Sequence, residues 1–375
     1  MSAPIVEILP GGTPAELRSA IERIARTGDV VHVALMPDAH VAEEVCVGAV
    51  VATTSRILPA AVGGDIGCGM VATRLLATAD LLADRERAAS VLAGLYERVP
   101  HALHPTATAP HLPEDLATAP LAGGALDGKR RREGRLEFGT LGRGNHFLEV
   151  QRDDEDALWL LVHSGSRAMG PAIRHHHESA APRDPSGLAW LEADSEAGQS
   201  YLRDADWAAR YASASRAHML EQALSLFGDL FGIASDPASR IEVDHNHVRR
   251  ETHAGRPLWV HRKGAMGLAL GAPGVVPGSM GSDTYHVEGR GHAPSLCSSA
   301  HGAGRTMSRA EARRTIGERQ LLREAKGVWF DRRLAPRLRE EAPGAYKDIG
   351  AVMRAQRDLV RIVRRLRPVL AYKAP

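Results

Sequence analysis

The residue types able to do chemistry fall in short, glycine-flanked clusters. The first is Gly63-Gly64-Asp65-Ile66-Gly67-Cys68-Gly69-Met70. Its glycines permit a turn tight enough to aim the carboxylate of Asp65 and the sulfur of Cys68 at one point. An isolated Asp-x-x-Cys is more often a turn with a packed cysteine. Further along come Gly142-Arg143-Gly144-Asn145-His146, then Val162-His163-Ser164-Gly165-Ser166-Arg167, then Asp244-His245-Asn246-His247 followed by His261-Arg262-Lys263-Gly264. Each histidine alone reads as a satisfied core residue. Together, one Asp, one Cys and three His offer mixed O, N and S donors, which suit a borderline divalent cation such as zinc or manganese, and a thiolate or carboxylate can bridge two ions. No Cys-x-x-Cys pair or His-Glu-x-x-His helix accompanies them, so spacing alone does not decide.

A fifth cluster, Ser298-Ser299-Ala300-His301-Gly302-Ala303-Gly304-Arg305, leads into a helix capped near Ser308. Small residues around one histidine, with an arginine four positions on, make an anion-friendly loop where a phosphate would lie beside an imidazole able to attack it. General acid–base work is the commoner role for such a histidine. Val276-Pro277-Gly278-Ser279-Met280-Gly281 lacks the ending of a P-loop, yet offers backbone amides and a hydroxyl to a nucleotide.

The elements that must position these clusters are legible in part. Thr13-Pro14-Ala15-Glu16 reads as a capping threonine, a first-turn proline and a capping-box glutamate, with Leu17, Ile21 and Ile24 at helical spacing and Gly28 ending the helix. Short β-branched runs between Val30 and Ile57 predict strands, and a helix is expected over 80–97. Residues 101–134, rich in Pro, Ala, Thr and Gly, read as a surface excursion ending in Lys129-Arg130-Arg131-Arg132. Strands return around 135–150 and 158–163, a long helical region covers 186–231, and strands and loops run from Ile241 to Arg305. A periodic basic helix is expected near 346–367. Strands and helices do not alternate regularly, which points to an α+β fold.

Composition narrows the class. The chain has 375 residues, 44% hydrophobic and 25% charged, which excludes disordered, collagen-like and coiled-coil classes. No apolar run is long enough to span a membrane and the N-terminus has no export signal, so a cytoplasmic protein without membrane contact is expected. Three cysteines, an odd number, argue against a disulfide framework. The net charge of +2 announces no nucleic-acid partner, but two basic patches stand out locally: Lys129 to Arg132 with Arg135, and Arg354, Arg357, Arg361, Arg364, Arg365 and Arg367, opposed only by Asp358. Aromatic residues are only 4%, so base stacking should contribute little. His175-His176-His177 reads chiefly as surface.

Taken in order, these clusters resemble the RtcB family of RNA-splicing ligases, which join RNA 3′-phosphate or 2′,3′-cyclic phosphate ends to 5′-hydroxyl ends using GTP. The similarity runs from Met36-Pro37-Asp38-Ala39-His40 through Pro59-Ala60-Ala61-Val62-Gly63-Gly64-Asp65-Ile66-Gly67-Cys68-Gly69-Met70 to Tyr346-Lys347-Asp348-Ile349 and Lys373, almost the whole chain. It implies one RtcB-like catalytic domain over residues 1–375, with mixed sheets, surrounding helices and a central cleft. It further implies two manganese ions, with Cys68 bridging, His163 and His245 completing one site and Asp65 and His146 the other. His301 matches the guanylylated nucleophile. Asn145, Glu149, Asn246, Ser279, Ala303, Gly304 and Lys373 match nucleotide-holding positions, and Arg167, Arg262, Lys263 and Arg305 are candidate RNA phosphate contacts.

The implied reaction passes through histidine-bound GMP, transfers GMP to an RNA 3′-phosphate, and ends when a 5′-hydroxyl displaces it. An archease-type helper and a monomer fit this reading. Val41-Ala42-Glu43-Glu44-Val45, bulkier and more acidic than the family's glycine-rich stretch, and the compact length suggest a divergent branch acting in tRNA splicing or RNA repair. The alternatives are a binuclear metal phosphoesterase working without nucleotide, and a non-catalytic RNA-end-binding protein.

Overall fold

The computed structural model describes residues 2–374. Two sheets form its centre. The first orders the strands Ile5–Glu7, Val30–His40, Val47–Thr53, Arg256–Lys263 and Asn246–His253; the second orders Pro273–Pro277, Thr284–Gly289, Val360–Tyr372, Phe147–Asp153, Ala157–Ser164, Gly69–Thr78 and Ser235–Asp244. The seven-stranded sheet curls until its two outer strands come into contact. Ala34, Val50 and Val260 of one sheet pack on Met70, Leu161 and Val275 of the other. Helices cover the outer faces. Leu17, Ile21 and Ile24 of the helix Ala15–Ala25 seal the smaller sheet, while the helix Arg85–Arg98 and the long helix Glu196–Phe231 lie over Val71, Leu148 and Val162 of the larger. The mixture of sheets and helices is the α+β fold expected. No helix of the described residues is long and apolar enough to cross a membrane.

Antiparallel register is what gathers the chemistry. Met70 pairs with His163 on one side and Val243 on the other, and Phe147 pairs with His163. Cys68 and His146 immediately precede their strands, His163 is the last residue but one of another, and His245 immediately follows a fourth, so four neighbouring strands deliver these side chains along a single end of the sheet. His245 is also the hinge by which the chain passes from the larger sheet into the smaller.

Three expectations about elements need correction. Within the region read as a basic helix, only Ile349–Ala355 is helical, started by Asp348, whose carboxylate accepts from the amides of Gly350 and Ala351. From Val360 to Tyr372 the chain is a strand between two others, because its β-branched, alternating sequence finds sheet partners on both sides; Pro368 is accommodated where the ladder shifts register. Thr13 does not cap the first helix: its hydroxyl donates to Glu7, and Pro14 begins the turn without a side-chain cap. The segment 135–146 is not a strand. A short helical turn and loop occupy it, and the strand begins at Phe147. The excursion 101–134 holds short helical turns, and Arg130 within it is buried, donating to Leu116 and Ala119 carbonyls.

Candidate active site

Five of the residues singled out above converge into two overlapping donor groups, Cys68 with His163 and His245, and Asp65 with Cys68 and His146, with the ligand atoms of each group within 4.8 Å of one another. Cys68 Sγ is 3.4 Å from His163 Nε2 and 3.6 Å from His146 Nε2, and the Nε2 atoms of His163 and His245 are 3.4 Å apart. Cys68 belongs to both groups and so stands where a bridging ligand would.

The proton positions follow from what surrounds each ring. His163 Nδ1 lies 3.1 Å from the carbonyl of Asn145, which only accepts, so Nδ1 carries the hydrogen and Nε2 presents its lone pair. Arg167 only donates, and its Nη1 is 3.2 Å from His146 Nδ1; the proton of His146 is therefore on Nε2, 3.0 Å from Asp65 Oδ2. That proton sits between imidazole and carboxylate, where a cation would bind both. The other oxygen of Asp65 accepts from the amide of Ser166, 2.9 Å away. His245 Nδ1 is buried without a partner. Burial drives His163 and His245 far below the usual imidazole range, helped by neighbouring imidazoles, so both are neutral, the form that ligates. Burial also raises the Cys68 thiol, and nearby Asp65 adds to this. Burial acts to raise Asp65 too, but the hydrogen bond from His146, joined by one from Cys68 and the charge of Arg167, outweighs it and holds the carboxyl down to about 2. A buried, proton-sharing set of O, N and S donors fits a divalent pair, with each proton displaced on loading. Gly142 makes the His146 side possible: at φ +93° it lies so near that a Cβ would fall 2.1 Å from Arg167 Nη1 and 2.4 Å from His146 Nδ1.

Above this cluster opens a cavity of about 900 Å³ lined by His163 and His301. The ring of His301 lies 4.6 Å from that of His245. Asp38, fully buried in the strand Val30–His40, places one oxygen 2.6 Å from His301 Nδ1, oblique to the ring, and that oxygen also accepts from the amides of His301 and Gly302 at 3.1 and 3.3 Å. Asn145, Glu149, Ser279, Ala303, Gly304 and Lys373 all line the cavity. Glu149 is buried, which pushes its carboxyl up to about 7, although a hydrogen bond from Gln151 and the charge of Lys373 pull the other way. Lys373 Nζ donates to Glu341 at 2.9 Å, itself buried and held by Tyr346 and Arg305.

Other expected contacts fall elsewhere. Both ends of the Asn246 side chain are occupied, donating to the Asp65 carbonyl and accepting from the Gly264 amide, so it braces the turn that carries Asp65 and does not line the cavity. Arg262 is 1% exposed and spends its donors on Ser298, Glu251, His247 and the Leu296 carbonyl, so it is a core residue that cannot reach RNA. Lys263 donates to the Val45 carbonyl, outside the cavity lining. Arg305 lines the cavity while bonded to Tyr346 and two backbone carbonyls. Val41 stands exposed in the cavity wall and Glu44 pairs with Arg174. Both basic patches are tempered by pairing. Arg361 meets Glu288, Arg364 meets Asp153, Arg365 and Arg367 share Asp283, and Lys129 pairs with Glu133. His177 is buried against Asp204 at 2.8 Å rather than lying at the surface.

Sequence reasoning gave no role to Asp38 or Glu341. A carboxylate inside the apolar run of a strand is the signal that marks Asp38. Glu341, in the run Arg339-Glu340-Glu341, reads as solvated, and only the tertiary fold buries it.

Comparison with known proteins agrees in extent and order. The family model described as "tRNA-splicing ligase RtcB" matches residues 20–126 and 118–374. The chain is 35% identical over 370 residues to the RNA-splicing ligase RtcB of Escherichia coli strain K12, covering 91% of this chain and 90% of that protein. The chain belongs to the RtcB family. The RNA-splicing ligase RtcB of Mycobacterium tuberculosis is 32% identical over 420 residues, covering 90% of this chain and 96% of that protein, and the RNA-splicing ligase RtcB2 of Escherichia coli strain ATCC 25922 is 31% identical over 358 residues, covering 90% and 86%. Matches of this breadth span both donor groups, the cavity lining and the C-terminal strand.

Proposed function

We propose that this RtcB-family protein is a GTP-dependent RNA ligase that joins 3′-phosphate or 2′,3′-cyclic phosphate ends to 5′-hydroxyl ends through a histidine–GMP intermediate. The observation that carries the reading is the placement of His301: in the lining of a nucleotide-sized cavity, 4.6 Å from the ring of a donor-group histidine, with the Asp38 carboxylate 2.6 Å from Nδ1. Asp38 favours the hydrogen on Nδ1 and leaves the Nε2 lone pair free to attack phosphorus. Glu149, at the buried wall, is an acceptor pair for the two adjacent donors on the edge of guanine, while Ser279 and Lys373 face the same space. Cys68, His163 and His245 would hold one manganese ion and Asp65, Cys68 and His146 a second, supplying Lewis acidity and charge neutralisation to the phosphates.

In the first step His301 Nε2 forms a bond to the α-phosphorus of GTP and pyrophosphate leaves. A cyclic end first takes up water, which breaks the P–O2′ bond and leaves a 3′-phosphate and a 2′-hydroxyl; an RNA 3′-phosphate oxygen then attacks the histidine-bound phosphorus, the P–N bond breaks, and His301 is regenerated. Finally the 5′-hydroxyl of the second RNA attacks the activated 3′-phosphate, losing its proton, and GMP departs. Arg167 lies outside the cavity lining and is bonded to His146 Nδ1, so it would act on phosphate charge only from beside that donor group. The reading extends to a single catalytic domain and a cytoplasmic monomer.

Incubation with α-labelled GTP and manganese tests it. An acid-labile protein–GMP adduct that disappears in His301→Ala is expected. No adduct with any divalent metal would overturn the ligase reading. Release of phosphate from RNA ends without nucleotide would then identify a phosphoesterase, and RNA binding without turnover an end-binding protein.

A further inference from the structure

The long helix Glu196–Phe231 carries a fully buried arginine. Arg216 is 2% exposed, and nothing in the reaction proposed above uses it. Its Nη1 donates to the carbonyl of Gly67 at 2.8 Å and to that of Ser164 at 3.1 Å, and its Nη2 lies 3.4 Å from Glu242 Oε1. Gly67 precedes Cys68, Ser164 follows His163, and Glu242 lies three residues before His245. One guanidinium therefore touches all three chain segments that supply the group Cys68, His163 and His245. The helix is seated on the same turn: two helical turns before Arg216, Ala209 packs so closely that a Cβ on Gly67 would fall 2.5 Å from its Cα. Ser213, on the same face, donates to Glu242 at 2.5 Å and fixes the third segment again.

A buried guanidinium carries a large desolvation cost, offset here through Nη1 and Nη2 while Nε is left without a partner. Packing a helix on a sheet does not call for an ion here; an apolar side chain of similar volume would fill the space. What the ion adds is direction. Its planar fork fixes the distances between three segments far apart in sequence, which an apolar contact would leave free to slide.

We propose that Arg216 is a positioning residue for metal: it holds the spacing of Cys68, His163 and His245 before any ion binds, so that the protein, rather than the ion, bears the cost of assembling this group. The proposal rests on the reading that these three residues hold an ion. Loss of a group in this outer layer typically weakens metal binding roughly 10- to 100-fold.

Calorimetric titration of manganese into the full-length protein tests it, with cobalt(II) as a second probe whose thiolate absorption reports on Cys68. The control is Ser215→Ala, a buried neighbour on the same helix whose hydroxyl accepts from the Gly139 amide, away from the metal segments. Arg216→Met should weaken one of two binding events about 10- to 100-fold and alter the cobalt–thiolate band, while Ser215→Ala leaves both as in the wild type. Arg216→Lys, which keeps the charge but cannot span both carbonyls and Glu242, should fall between, and it decides the matter alone where the methionine variant does not fold. Wild-type affinity in the arginine variants, or an equal loss in Ser215→Ala, would overturn the positioning role. A wild-type protein that binds no divalent ion would overturn the metal reading itself.

Discussion

Replacing Asp38 by asparagine isolates what its charge does for His301. One oxygen of Asp38 takes all three nearby contacts, from the amides of His301 and Gly302 and at 2.6 Å from Nδ1, while the other has no partner. An asparagine would settle with its oxygen toward the three donors and its NH2 group in the unpartnered position, so the ring stays in place and only the charge is lost. The two amide hydrogen bonds lose a charged acceptor, worth about 1–2 kcal/mol more than a neutral amide, and Nδ1, which makes no aligned hydrogen bond, loses the negative charge beside it. At about 1.4 kcal/mol per factor of ten, guanylylation should slow roughly 5- to 30-fold. Asp38→Ala removes the acceptor as well, freeing the ring and stranding two buried amides, and should cost about 100-fold or more. The assay is the single-turnover rate of labelled protein–GMP formation at saturating GTP and manganese. Asp38→Asn at the wild-type rate would refute the orienting role, as would equal losses in the two variants.

Further expectations concern metal, nucleotide and fold. Cys68→Ala and His163→Ala should lose metal as well as joining, whereas His301→Ala should lose joining with metal intact, as elemental analysis of the purified variants will establish. Glu149, pushed up to about 7 by burial, is protonated below that pH and can then offer guanine only part of its acceptor pair. GTP affinity should therefore rise from pH 6 to pH 8; a flat titration, or an unchanged slope in Glu149→Gln, would contradict the assignment. Lys373→Ala should weaken GTP binding while leaving metal content unchanged, and a GTP titration checks this. Asp204 accepts from His177 and from the Ala122 amide, pinning the 101–134 excursion to the long helix. Removing this buried acceptor with Asp204→Ala strands the His177 and Ala122 donors and should cost about 1–3 kcal/mol in urea unfolding.

By itself the sequence determined the chemistry available. Asp65, Cys68, His146, His163 and His245 sit beside glycines or strand ends because exposing a polar donor at the rim of an apolar sheet takes a sharp turn, and such turns leave marks in sequence. The α+β class, the helix Ala15–Ala25, the cap at Ser308 and the early strands were legible for the same reason: they depend on local periodicity and end residues. What the tertiary structure alone decided were long-range pairings. Whether Val360–Tyr372 is helix or strand depends on neighbours more than 70 residues away. The pairing of Arg361, Arg364, Arg365 and Arg367 with acids elsewhere tempers a patch that looked basic in one dimension. Arg262 became core, Asp38 became the partner of His301, and Arg216 came to lie under three ligand-bearing segments, because charges are buried only where distant segments satisfy them, and no local pattern records which segments those are.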